Sequence, residues 1–307
     1  MTMPASLDPV DSFAAVRPRL FAIAYRMLGT RADAEDVVQD AWLRWNGSEH
    51  VEVATPEAWL VTVTTRLAID RLRSRKLERE AYVGWWLPEP IIEDEHTPET
   101  AAELASDVSV AFLWVLERLG PEERAAFLLR QVFDQDYAEI AAMLGKSAAA
   151  CRQLVHRAQA RVKQEQPRFT VPRDAHRELL ARFMQAASAG DRTAMKALMA
   201  DDVQLVSDGG GKAKSFMRVL EGAGRVAGVY WSLEHAYPGR VAYRLALVNG
   251  EPGLLRYVDG RIESAQSFIV DAGRIVAAFV IRNPDKLAGA PQTLLAAAVT
   301  NPDAGSS

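Results

Sequence analysis

The sequence predicts a multidomain chain, two all-α blocks followed by an α+β domain. Three observations predict it. At 307 residues the chain is too long for one ordinary core of about 150 residues. As far as Lys163 apolar residues recur at helical spacing, interrupted by one acidic, proline-bearing stretch. Beyond Pro167 β-type runs alternate with the turn pairs Asn249-Gly250 and Asp259-Gly260 and the turn Asp271–Gly273.

Composition bounds the class. Hydrophobic residues make up 49% and charged residues 25%, ordinary for a globular chain and wrong for a disordered one. No stretch approaches the roughly 18 consecutive apolar residues of a membrane span, and the N-terminus lacks the pattern of a signal peptide. The single Cys151 cannot form an internal disulfide, and no Cys/His cluster has zinc spacing. A cytoplasmic protein without metal or cofactor is expected. The net charge of −4 argues against nucleic acid, but the average misleads because charge is segregated. Arg66–Arg79 holds six basic and two acidic residues, Lys146–Lys163 five basic and none acidic, and Glu89–Asp107 seven acidic and no Lys or Arg.

Taken in order, Asp11–Leu28 reads as an amphipathic helix with Phe13, Val16, Leu20, Ile23 and Met27 on one stripe. Pro18 predicts a kink or a late start. Asp33 is the predicted N-cap of a second helix, with Val38, Ala41, Trp42 and Trp45 inward and Glu35, Asp36, Gln39 and Asp40 outward. Asn46–Pro56 is loop-like, and Glu57 to about Glu80 is one long helix, basic in its second half. Tyr82–Asp107, with WWLPEP and Pro98, reads as an extended linker. From Val108 to about Glu165 a second helical block contains the turn Gly120-Pro121, a short helix Asp136–Leu144, a turn with Ser147 as N-cap, and a third helix to Lys163. Helices at about Asp174–Ala189 and Asp191–Met199 precede strands Val203–Ser207, Val241–Val248, Leu254–Val258, Arg261–Val270 and Arg274–Ile281. The tail after Ala288 is expected to be mobile.

Tyr137–Lys163 fits a helix-turn-helix, whose second helix enters the major groove by its N-terminal residues. Arg152 and Gln153 suit guanine and adenine edges, and Lys146, Arg157 and Arg161 suit phosphates. His156 fits either DNA contact or a solvated, packing role. An αα-hairpin with a solvated basic face is the competing account. In the helix Glu57–Glu80, the residues Trp59, Thr62, Thr65, Arg66, Asp70 and Arg73 combine stacking and phosphate-binding groups as single-strand binding needs. A core helix with a charged end explains them as well.

YRMLGTRADAEDVVQDAWLRW with AWLVTVTTRLAIDRLRSRK resembles region two of bacterial sigma factors, and ERLGPEERAAFLLRQVFDQDYAEIAAMLGKSAAACRQLVHRAQARV resembles region four. With no third domain between them, the chain resembles an extracytoplasmic-function (group IV) sigma factor. WLPEP, DGGGK (Asp208–Lys212) and NPDKL (Asn283–Leu287) match the subgroup with a C-terminal SnoaL-like domain. The resemblance covers residues from about 11 to 289, five motifs in order.

It implies a region two helical bundle over 1–80, an acidic linker over 81–107, a region four helix-turn-helix over 108–165, a connector over 166–173, an α+β SnoaL-like cone over 174–289 and a tail over 290–307. Its implied partners are promoter DNA and RNA polymerase core, through the β′ clamp helices and β flap. Glu35, Asp36, Gln39 and Asp40 would dock on the clamp helices. Asn46, Trp59, Thr62, Arg66, Asp70 and Arg73 would melt and hold the downstream element. Lys146, Ser147, Arg152, Gln153, His156, Arg157 and Arg161 would read the upstream element as duplex. Regulation in cis would involve Trp86, Leu87, Pro88, Glu89 and Pro90 against Asp208, Gly209, Gly210, Gly211 and Lys212, with Asn283, Pro284, Asp285, Lys286 and Leu287. No separate anti-sigma factor is then obligatory. Fold alone does not decide whether a SnoaL-like pocket binds a small ligand, and that partner stays open. Asp208 and His235 are the tempting acid–base pair for an enzyme, but nothing in the sequence brings them together, and a non-enzyme is expected. The remaining alternative is a one-component DNA-binding regulator whose SnoaL-like domain senses a small ligand.

Overall fold

The structure is a computed structural model that describes residues 9–48, 53, 55–93, 108–165 and 171–294. Most of the acidic linker (94–107), residues 166–170 of the connector and the tail from 295 lie outside the described residues. The chain divides into two compact units. The first comprises 1–82, 86–91 and 96–168, and the second 83–85, 92–95 and 169–307.

The first unit is all-α. Helix α1 (Pro9–Leu28) runs unbroken through Pro18, and α2 spans Arg31–Asn46. A proline inside a helix forfeits one backbone bond, but the unbroken buried run Leu20–Leu28 holds α1 in place by packing. Its core partners are Val37, Val38 and Trp45 from α2 and Leu60, Val61, Ala68 and Ile69 from α3 (Pro56–Ser74). The expected single helix 57–80 breaks at Arg75, and α4 covers Lys76–Glu80. The N-cap of α2 is Thr30, not Asp33. Asp33, buried inside the first turn, instead accepts Arg71 Nε at 3.0 Å and Nη2 at 2.9 Å, and also Arg75. A buried carboxylate needs such partners, and this requirement outweighs capping.

Helices α5 (Val110–Leu116), α6 (Pro121–Gln131), α7 (Tyr137–Leu144) and α8 (Ala148–Glu165) complete the unit. The helix-turn-helix is as predicted. Asp136 and Glu139 form a capping box on α7, Gly145 ends it at φ 64°, and the Ser147 hydroxyl accepts from Ala150 N at 3.1 Å. Cys151, Val155, Ala158 and Val162 face the core, leaving the basic face of α8 outward.

The second unit packs α9 (Arg173–Ser188), α10 (Arg192–Ala197) and α11 (Ala223–Ala236) on a sheet of seven strands. These are β1 (Ile92–Glu93), β2 (Met199–Asp208), β3 (Leu220–Glu221), β4 (Val241–Val248), β5 (Glu251–Val258), β6 (Arg261–Asp271) and β7 (Arg274–Ile281), in the order β1-β4-β5-β6-β7-β2-β3. Among the described strands only β2 and β7 pair in parallel. Phe183, Tyr230 and Phe268 lie at its core, with ring centroids 5.0 and 5.8 Å apart. Three elements escape sequence reading, among them the two-residue strand β3. The edge strand β1 comes from the segment expected to be linker and pairs Ile92 with Val248. Helix α11 carries Ala223, Val226, Ala227 and Tyr230 inward, its periodicity obscured by Gly224 and Gly228. The first residues of the expected mobile tail are tied down, with Ile262 N donating to Gln292 O and Leu294 N to Gly260 O.

Candidate functional site

On α2, Asp36, Gln39 and Asp40 are exposed, and half-buried Glu35 accepts Arg17 at 2.7 Å. Asp36 lies 3.8 Å from Arg71. Glu35 and Asp36 thus have basic neighbours within the unit, while Gln39 and Asp40 are exposed on the same helix. The expected downstream-element residues are engaged differently. Asn46 is the exposed last residue of α2, whereas Trp59 is half-buried against Trp45, with centroids 5.4 Å apart. Thr62 Oγ1 donates to Ala58 O at 2.7 Å, and Thr65 is buried.

The basic stretch 66–79 is spent on contacts inside the first unit. Arg66 donates from Nε to Met143 O at 2.8 Å and from Nη2 to Ala142 O at 3.2 Å, the last carbonyls of α7. Arg73 bridges Asp70 at 3.2 Å and Glu122 at 2.7 Å. Arg79 donates to Glu117 at 2.8 Å and to Leu28 O at 3.1 Å, and burial lowers its pKa. Arg124 reaches from α6 to Met27 O and to Glu117. The two helical blocks are thus joined by guanidinium groups that cap helix C-termini. Around this seam, Leu72, Arg75, Lys76, Trp86, Pro121 and Leu154 help line a cavity of about 750 Å³.

Of the upstream-element residues, Ser147, Arg152, Gln153, His156, Arg157 and Arg161 are exposed and Lys146 is half-buried. Arg152 lies over the Tyr137 ring at 5.4 Å. Lys146 pairs with Glu122 at 2.9 Å, and Arg157 and Arg161 pair with Glu123 at 3.1 and 2.9 Å. Glu122 and Glu123 were not among the residues the sequence singled out. Their only signal was a pair of acids in a first helical turn, which ordinarily serves the dipole.

Trp86–Pro90 is packed in the first unit. Leu87, Pro88 and Pro90 are buried, and Trp86 lies under Arg79 at 3.2 Å. Glu89 is pinned to the α1–α2 turn: its O accepts Tyr25 Oη, its N donates to Gly29 O, and its carboxylate accepts Arg31 N, each at 2.8 Å. Gly29 has φ +71°, and a Cβ there would lie 2.6 Å from the Trp86 ring, so both conformation and space call for glycine.

In the second unit DGGGK and NPDKL form one structure. The Asp208 side chain, wholly buried at the end of β2, accepts Lys286 Nζ at 2.6 Å, and its backbone O accepts Arg282 N and Asn283 N. Lys212 pairs with Asp285 at 2.5 Å, and Asn283 caps the single 3-10 turn Pro284–Leu287. Leu287 is buried, and Gly210 and Gly211 have positive φ. At Gly209 a Cβ would meet Ala213 O at 2.1 Å. Gly211 faces Val83, so the linker residue packed on this loop lies three positions before the tryptophan expected there. His235 stacks on Trp231 at 3.9 Å and bonds its carbonyl, so Asp208 and His235 have separate partners.

The interior of this unit is polar in places. Tyr230 Oη donates to Gln266 at 2.8 Å, Gln266 donates to Ser264 at 3.1 Å, and burial pushes the Tyr230 hydroxyl up. Arg256 pairs with Glu263 at 2.5 Å; burial opposes the Glu263 charge, yet Arg256 and Arg282 hold its carboxyl below the ordinary range. Among the described residues no helix is long and apolar enough to cross a membrane.

Two family models match the first unit, Sigma-70 region 2 over residues 13–78 and Sigma-70 region 4 over 109–162. The ECF RNA polymerase sigma factor SigJ of Mycobacterium tuberculosis (strain ATCC 25618 / H37Rv) is 42% identical over 294 residues, covering 92% of this chain and 94% of its own length. The probable ECF RNA polymerase sigma factor SigI of Mycobacterium tuberculosis (strain CDC 1551 / Oshkosh) is 31% identical over 289 residues, 91% of this chain and 95% of its own. The crystal structure of Mycobacterium tuberculosis SigJ superposes with a TM-score of 0.75 at 37% identity, covering 92% of this chain and all of that one. With regions two and four matched in order, and likeness continuing through the α+β domain that follows them, the chain belongs to the extracytoplasmic-function sigma factors.

Proposed function

We propose that this protein directs promoter-specific initiation by RNA polymerase in the cytoplasm and is held in check in cis by its SnoaL-like domain. The acidic face of α2 (Glu35, Asp36, Gln39, Asp40) docks on the β′ clamp helices and the region four block on the β flap. Asn46 and the α3 residues Trp59, Thr62, Arg66, Asp70 and Arg73 hold the melted downstream element, and α8 with its preceding turn reads the upstream duplex.

The observation that carries the regulated reading is Arg66, whose guanidinium caps α7 instead of standing free for phosphate. Promoter engagement needs regions two and four apart by the spacing of two DNA elements. A protein that closes them on each other lowers the competent fraction and, in proportion, its apparent affinity. The fate of the linker supports the domain's part in this. Trp86–Pro90 is pinned on region two, Ile92–Glu93 is a strand of the SnoaL-like sheet and Val83 packs on DGGGK. The segment that joins regions two and four thus contributes residues to the C-terminal unit, which supports a part for that domain in setting their separation. A separate anti-sigma factor is not obligatory in this scheme.

Run-off transcription with core polymerase tests it. The protein cut at about residue 167 should yield more transcript than the full chain. Equal yields would leave the C-terminal domain a passenger. Duplex binding without any polymerase-dependent transcript would favour the one-component regulator.

A further inference from the structure

Glu122 and Glu123 are the second and third residues of α6, next to each other in its first turn. Between them they hold four basic side chains. Glu122 accepts Arg73 on Oε1 at 2.7 Å and Lys146 on Oε2 at 2.9 Å; Glu123 accepts Arg157 on Oε1 at 3.1 Å and Arg161 on Oε2 at 2.9 Å. All four are residues whose chemistry suits phosphate. One comes from region two and three from region four, so the acids gather cations from both nucleic-acid surfaces.

We infer that Glu122 and Glu123 are intramolecular surrogates for DNA phosphate, which compete with the promoter backbone for Arg73, Lys146, Arg157 and Arg161. This rests on the reading of region four as a duplex binder and adds to it the residues that limit its affinity. A carboxylate offers a guanidinium the same two-oxygen acceptor geometry as a phosphate. Glu123 is largely buried, its side chain 13% exposed, whereas Arg157 and Arg161 are 59% and 53% exposed. The acceptor is therefore fixed, while the cations keep a path to solvent. Ion pairs with so exposed a partner are weak in water, so an approaching phosphate can take the cation over, with counterion release as the driving force. A duplex on α8 claims Lys146, Arg157 and Arg161; single-stranded DNA on region two claims Arg73, which also frees Glu122 from its contact across the seam.

The competing physical account is positioning, in which Glu123 aims Arg157 and Arg161 at phosphates. The two accounts predict opposite signs. Glu122→Gln and Glu123→Gln, each in the full chain, keep side-chain volume, and glutamine at position 123 preserves the capping bond to Gly120 N. Each variant is titrated with a mixed-sequence duplex over a salt series, with circular dichroism to establish that it folds. Competition predicts several-fold tighter binding. It also predicts a log–log salt slope steeper by up to about 0.9 for each cation transferred to phosphate. Weaker binding by Glu123→Gln would establish positioning and overturn the inference, as would unchanged affinity and slope in both variants. Glu178→Gln, an exposed acid on α9, makes the same change in net charge; an equal gain there would reduce the effect to bulk charge and also overturn it. Failure of the sigma reading shows elsewhere, as no transcript with core polymerase, while the duplex titration still returns its own sign.

Discussion

Arg152 and Arg161 are both exposed on α8 but keep different company. Arg161 is paired with a carboxylate, whereas Arg152 rests over a tyrosine ring, which orients the guanidinium without neutralising it. Arg152→Ala should cost about 1–3 kcal/mol on the cognate upstream element and relax preference at one base pair. Arg161→Ala should weaken all sequences alike and flatten the salt slope by at most about 0.9, less if Glu123 retains part of its charge. Filter or anisotropy titrations on matched and mismatched duplexes separate the two. Equal changes in specificity would break the division into base and phosphate contacts. His176, buried in α9, carries a pH prediction. Burial holds its imidazole down at about 4, while the unfolded chain titrates near 6.5. The unfolded state therefore binds the extra proton, and stability is full above about pH 6.5 and declines as pH falls toward 4, by as much as roughly 3 kcal/mol. His176→Gln should remove that part of the decline, measured by urea midpoints of the second unit near pH 7 and near pH 4.5.

Among the elements, α2 shows both what periodicity reveals and what it hides. Its outward acids follow directly from spacing, since Asp36 and Asp40 are four residues apart on one face. Reversing both charges should lower capture by core polymerase in a pull-down while circular dichroism stays unchanged. Undiminished capture would take α2 out of the polymerase interface. The role of Asp33 was not legible, because it depends on Arg71 and Arg75, some forty residues on. The same holds for α3 and α4. The sequence reads a basic, outward helix end suited to nucleic acid, yet Asp33, Glu117 and Glu122 receive Arg71, Arg75, Arg79 and Arg73 in the folded chain. Short strands leave still less trace. Ile92–Glu93 has no period to detect, and its partner Val248 lies far along the chain.

At the scale of the molecule, DGGGK and NPDKL close the second unit through a buried ion pair. Lys286→Ala takes away the ammonium that the buried Asp208 side chain accepts, one half of a buried pair, and should destabilise this unit by about 3–5 kcal/mol. Pairing Lys286→Met with Asp208→Asn should recover much of that loss. Urea or thermal unfolding of the three proteins tests this, and a small effect of the single change would remove the pair from the unit's stability. A cut at about residue 282, which spares the sheet when only strands are counted, also removes Lys286 and is expected to loosen it. The sequence by itself determined the division into two helical blocks and an α+β domain, the helix-turn-helix with its caps, the hairpins and the family. These features rest on neighbours within a few residues, where side-chain period, turn chemistry and capping act. Tertiary structure alone decided that Trp86–Pro90 seats on the α1–α2 turn, that the linker lends a strand to the sheet, that the two glycine- and proline-bearing motifs join, and that the arginines of 66–79 face carboxylates or helix ends. Those outcomes depend on which distant charge or backbone carbonyl reaches a given side chain when water is excluded, and spacing along the chain does not encode that.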